Sequence, residues 1–152
     1  MTYEYVTSSA EETIELGRLI GEQLRGGDII AYKGSMGAGK TTMTRGLTLG
    51  MGLGDMAFSP TFALVNEYRG RELTLYHFDM YRITSAADLE TTGFFDYMSD
   101  DSVIAVEWSE NIEEELPEGH LVINLERVSD DIRKITIDGD ERFAHLRDRY
   151  KR

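Results

Sequence analysis

The sequence predicts an α/β fold, a three-layer sandwich in which a mixed, mostly parallel sheet carries helices on both faces. Three observations predict it. Short apolar runs are interleaved with segments of helical periodicity. One run, "VIAV" (103–106), is continuously apolar, as expected of a central strand buried on both sides. A glycine-rich loop, "GSMGAGK" (34–40), joins a strand directly to a helix. The 152 residues, 41% of them hydrophobic, suffice for one core, and no repeat, low-complexity tract or linker divides them. A single domain, 1–152, is expected.

Taken in order, the elements are as follows. Ser9 and Glu12 have the spacing of a capping box, and Ile14, Leu16, Leu19, Ile20 and Leu24 recur at helical spacing until Gly26 and Gly27. "DIIAYK" (28–33) is a short strand that ends at the glycine loop, and "KTTMTRGLTLGMG" (40–52) is a helix that ends in glycines. Further strands are expected at "ALVNEY" (63–68), "LTLYHFD" (73–79), "SVIAVE" (102–107), "HLVINLE" (120–126) and "RKITID" (133–138). The last alternates as an edge strand does. Helices are expected over 86–92 and 142–150. A parallel core with an antiparallel margin follows from this order.

Sixteen basic against 28 acidic residues leave a formal charge of −12, so the chain as a whole repels polyanions and anionic lipid. Any anion it holds requires a local site. Cysteine is absent, which excludes disulfides, thiolate metal sites and cysteine nucleophiles. No basic segment leads into an apolar one at the N-terminus and no run of 18 apolar residues occurs, so a cytoplasmic protein is expected, with no membrane and no DNA among its partners.

Gly34, Gly39, Lys40 and Thr41 match G-x-x-x-x-G-K-[ST] at every fixed position, with a strand before and a helix after. The spacing has a physical reason. Successive backbone N–H groups must point inward around a phosphate chain, and glycines allow the dihedrals and close approach that a Cβ blocks. Lys40 can place its ammonium on the β- and γ-phosphates, Thr41 can offer its hydroxyl to Mg²⁺, and the helix adds the positive end of its dipole. The fold expected is therefore P-loop NTPase-like. Such a site also needs an acid at the end of a neighbouring strand. Glu107, closing "SVIAVE", is the favoured metal ligand, and Asp79, closing "LTLYHFD", the second acid, to orient water or hold Mg²⁺ through water. Which of the two is the direct ligand stays open. Trp108, the sole tryptophan, follows Glu107 directly, and Thr61 in "SPTF" (59–62) stands where P-loop switch proteins place a γ-phosphate sensor. His77, in an apolar strand, is given no catalytic task. No N-K-x-D sequence exists, since Asn66, Asn111 and Asn124 precede Glu, Ile and Leu, which makes ATP the expected nucleotide. The tail "HLRDRYKR" (145–152) carries four of the sixteen basic residues, suited to a helix C-terminus.

Four segments in order, "GSMGAGKTTMTRGL", "SPTFALVNEY", "YHFDMYR" and "IAVEWSENI", resemble the TsaE (YjeE) family of bacterial P-loop ATPases. The resemblance spans about residues 34–112. It implies an ATP- and Mg²⁺-binding protein, slow in hydrolysis by itself, that works with TsaD and TsaB to make threonylcarbamoyladenosine beside the anticodon of ANN-decoding tRNAs. The tRNA is then met indirectly, through the complex. By the same resemblance Gly37, Ala38, Gly39, Lys40, Thr41 and Thr42 hold the phosphates, and Thr41 and Glu107 ligate Mg²⁺. Thr61, Asp79 and Trp108 join the functional cluster with Lys40, and Arg133 contacts the nucleotide. Phe58, where a smaller aliphatic is commoner, and the acidic "IEEELPEGH" depart from the family pattern. A small-molecule kinase using the same loop is the alternative, though Arg69, Arg71 and Arg82 are not clustered as its lid requires.

Overall fold

Ten regular elements and four short 3₁₀ turns make up the computed structural model, which describes residues 1–35, 37–53 and 65–146. In chain order the elements are β1 (Thr2–Thr7), α1 (Ala10–Gln23), β2 (Ile29–Lys33), α2 (Lys40–Gly50), β3 (Val65–Arg69) and β4 (Thr74–Asp79). α3 (Ala86–Thr91), β5 (Ser102–Glu107), β6 (Leu121–Arg127) and β7 (Arg133–Asp138) follow. The strands form one sheet in the order β1-β7-β6-β2-β5-β4-β3. β6, β2, β5 and β4 run parallel, and the antiparallel pairs lie at the two margins. The parallel core and antiparallel margin are as expected, with the parallel share half of the six pairings rather than most of them.

Alternation along each central strand sends side chains to opposite faces. Ile30, Tyr32, Val103 and Ala105 pack with Leu16, Leu19, Ile20, Met43 and Leu47 of the two long helices. Ile29, Ala31, Ile104 and Val106 pack on the other face with Leu89, Phe94, Ile112 and Leu116. Hence three layers, with every residue of β5 buried. The helix pair on the first face is unusually close. A Cβ on Gly17 would lie 2.7 Å from the Met43 carbonyl oxygen, and one on Gly46 2.3 Å from that of Ile14. The same pattern recurs one turn on, at Gly21 and Gly50. Two glycines per helix, four apart, thus lock α2 against α1 and fix where its N-terminus points.

At the start of α1, the Ser9 hydroxyl accepts the Glu12 N–H at 3.1 Å. The Glu12 carboxylate reaches back to the N–H of Ser8 at 3.0 Å, one residue earlier than a standard capping box. Two expectations change. β7 is not an edge: β1 pairs along its whole length, from Thr2↔Asp138 to Thr7↔Arg133. The alternation in "RKITID" reports one buried face, Ile135 and Ile137, and such a face occurs equally in an interior strand. The helix expected over 142–150 opens instead as a 3₁₀ turn, Glu141–Phe143, where Asp140 accepts the Arg142 N–H. Residues 147–150 lie outside the described region. Among the described residues no helix is long and apolar enough to cross a membrane.

Candidate functional site

Because β2, β5 and β4 are parallel neighbours, their C-terminal ends meet at one edge of the sheet, where ligands of open α/β sheets collect. Three segments therefore converge: the glycine loop after β2, Asp79 at the end of β4 and Glu107 at the end of β5. The register pairs Asp79 directly with Glu107, and the Met80 N–H donates to the Glu107 carbonyl at 3.1 Å, which extends the pairing past the strand ends. A cleft of about 510 Å³ opens there, lined by Ser35, Gly37, Gly39, Lys40, Thr41, Thr42, Asp79, Tyr81, Glu107, Trp108 and Arg133.

The loop is built by backbone that only glycine adopts readily. Gly34 has φ 130°, and a Cβ on it would stand 2.3 Å from the Leu125 carbonyl oxygen of β6. Gly37 has φ 81° with open space around it, so its backbone faces the cleft unobstructed. Gly39, at φ 107°, begins α2 without a side-chain cap. The first N–H groups of that helix have no partner within the helix and no capping oxygen, which makes its end a place for an anion. Lys40 is buried, with its ammonium 5.3 Å from the centre of the Trp108 ring. Below it, Thr44 donates to the Lys40 carbonyl at 2.9 Å and exchanges a 2.9 Å hydrogen bond with the buried Tyr32 hydroxyl. Burial holds that phenol well above its ordinary pKa, so it stays neutral. The loop-to-helix junction is thereby tied to β2.

On the opposite wall, burial pushes the Asp79 carboxyl above its usual range, and Glu107 pushes the same way; the Tyr81 N–H, donating at 3.0 Å, opposes both, as do His77 and Lys40. Glu107 is 8% exposed. Trp108 departs from what a lone tryptophan usually does. It is 41% exposed, and with φ 61° it is the one non-glycine residue with positive φ among the described residues. A left-handed tryptophan is strained by about 1–2 kcal/mol, and such outliers gather at functional sites. The turn throws its ring out of the sheet and over Lys40.

Most of the residues expected from the sequence meet here: Gly37, Gly39, Lys40, Thr41, Thr42, Asp79, Glu107, Trp108 and Arg133 all line the cleft. Arg133 reaches it from β7, its guanidinium held by the carbonyls of Ser129, Asp130 and Ile132. Gly34 supports the loop from behind, and Ala38 is fully buried, its N–H donating to the Ser35 carbonyl at 3.1 Å, so neither lines the cleft. Thr61 lies outside the described residues. Sequence reasoning missed Ser35 and Tyr81. The signal for Tyr81 was present, since it stands two residues beyond Asp79 in a strand-end turn.

The model of the family described as "Threonylcarbamoyl adenosine biosynthesis protein TsaE" matches residues 7–135. The chain belongs to the TsaE family. A TsaE of Treponema pallidum is 39% identical over 132 residues, 87% of this chain and 97% of that one. The Bacillus subtilis TsaE is 39% identical over 130 residues, 86% and 81%. A solved structure titled "Crystal structure of Bacillus subtilus YdiB" superimposes with a TM-score of 0.77 at 32% identity, covering 99% of this chain and 95% of that one. The TsaE family takes part in the biosynthesis of tRNA threonylcarbamoyladenosine. The family match runs from the end of β1 into β7 and so spans the whole cleft.

Proposed function

We propose that this TsaE-family chain binds ATP with Mg²⁺ and hydrolyses it, slowly alone and faster on a TsaD/TsaB complex, in support of threonylcarbamoyladenosine formation beside the anticodon of ANN-decoding tRNAs. The carrying observation is the single cleft that joins an uncapped, glycine-built helix start to two strand-end carboxylates. Either half alone is common, and together they match what a triphosphate with its metal needs.

The chain's own residues divide the work. Backbone N–H groups of Gly37, Gly39, Lys40, Thr41 and Thr42 and the Lys40 ammonium hold the phosphates against the −12 charge of the molecule. Thr41 and Glu107 hold Mg²⁺, which supplies neutralisation of charge developing on the phosphate oxygens. That ion takes few ligands from protein, consistent with one hydroxyl and one carboxylate. Asp79, beside Glu107, accepts a hydrogen bond from the attacking water and orients it toward the γ-phosphorus. As the water oxygen bonds to phosphorus, the bond to the bridging oxygen of ADP breaks and the water's proton leaves on the released phosphate. Arg133 contacts the nucleotide, Trp108 shields Lys40 from water, and Thr61 senses the γ-phosphate. The chain acts in the cytoplasm.

The test is hydrolysis and tRNA modification measured with and without TsaD and TsaB. Expected is a low rate alone, a rise with both partners present, and loss of both readouts in Lys40→Ala. Full-speed hydrolysis indifferent to partners contradicts the coupling, and partner-free phosphate transfer to a nucleoside or metabolite identifies a small-molecule kinase instead.

A further inference from the structure

Directly behind the cleft lies a histidine that the scheme above leaves idle. His77 is fully buried on β4, two residues before Asp79 and on the same face. Its Nε2 stands 2.8 Å from Glu107 Oε2. Among the described residues, the buried side-chain polar atoms without a well-directed hydrogen bond are His77 Nδ1, His77 Nε2 and Glu107 Oε2. The distance is that of a hydrogen bond but the ring is not yet turned along it. Two unsatisfied polar groups that face one another in a dry interior are costly to keep, and such a pair calls for a reason.

The surroundings limit what His77 can do. The edge of the Tyr32 ring, centred 6.1 Å away, packs against the imidazole. The strand register places Asn66 and Ala105 beside His77 on the neighbouring strands. No solvent reaches it, so contact with substrate is excluded. Glu107, in contrast, lines the cleft.

We infer that His77 is a positioning residue for Glu107. Carrying its proton on Nε2, it turns to donate to Oε2, so that one carboxylate oxygen is committed to the interior and the other is left to the metal, in one orientation. Ligating carboxylates are commonly held by such partners, and removing the partner weakens metal binding or activity about 10–100-fold. The inference rests on the Mg²⁺·ATP reading for the place of the metal, and on burial and distance for the role of the histidine.

Calorimetry of ATP binding with and without Mg²⁺ tests it through the gain in affinity that the metal confers. Wild-type protein is expected to show a gain. His77→Leu is expected to reduce that gain about 10-fold or more, with metal-free ATP affinity unchanged. His77→Gln, whose amide nitrogen can occupy the place of Nε2, is expected to keep most of it, and His77→Asn, whose amide falls short, to lose it. Should His77→Leu fail to fold, the Gln and Asn variants decide, and equal gains in those two overturn the inference. So does a wild-type gain that His77→Leu keeps in full or loses only in step with metal-free affinity. A wild-type chain that binds ATP but gains nothing from Mg²⁺ overturns the metal reading first, and the role of His77 with it.

Discussion

The two walls of the cleft are made in different ways. The glycine loop is one unbroken stretch, its shape set by positive φ angles at Gly34, Gly37 and Gly39. The facing wall is assembled from the ends of β4 and β5, and Asp79 meets Glu107 only because two parallel strands pair in that register. A wall built of backbone fails when a Cβ is added, and it fails as folding. A wall built of side chains fails as chemistry while the fold stands. Substitutions on either side should separate these two kinds of loss.

The largest effect is expected at the loop. Gly34→Ala forces a methyl to 2.3 Å from the Leu125 carbonyl at a φ that only glycine favours. It should lower stability by about 3 kcal/mol or more in urea unfolding, and a variant of wild-type stability would show that the loop is held otherwise. Lys40→Ala touches the same loop through a side chain. It should leave the urea midpoint near that of wild type and weaken ATP binding by about 1.5–3 kcal/mol, roughly 10–150-fold.

On the facing wall, Trp108 tests whether strain is stored there. At φ 61°, glycine should be tolerated better than alanine, so Trp108→Gly is expected to be more stable than Trp108→Ala by about 1 kcal/mol, the reverse of their usual order. Equal stabilities would deny the strain. The smallest effect concerns Asp79. Its carboxyl sits above the ordinary range because burial disfavours its charge. Above the raised folded-state pKa it is ionised in both folded and unfolded chains, so the unfavourable term is fully present there. As pH falls through the raised folded-state pKa the folded chain takes up the proton first, and the term fades. Asp79→Asn should therefore gain stability at pH 7, and the gain should shrink toward pH 4 in parallel denaturation curves.

The same contrast explains what the sequence made legible. The loop is local, and its spacing alone pointed to Gly34, Gly39, Lys40 and Thr41. Asp79 and Glu107 could be found because each closes an apolar run, but that they are register partners is a property of the sheet. The role of His77 was invisible, since an apolar strand gives no sign of which strand end its imidazole faces. β1 was missed because "TYEYVT" holds no aliphatic run, Tyr3 and Tyr5 alternating with outward Thr2, Glu4 and Val6, and without it β7 looked like an edge. The glycine pairs that clamp α1 on α2 read as weak helix positions until the two helices are seen in contact.

Calorimetric titration of the wild-type chain with ATP in the presence of Mg²⁺ tests most directly whether both walls serve one ligand. A single saturable association, weakened when Mg²⁺ is withheld and weakened again in Lys40→Ala, is the expected result. The absence of any ATP association with Mg²⁺ present would contradict the site altogether.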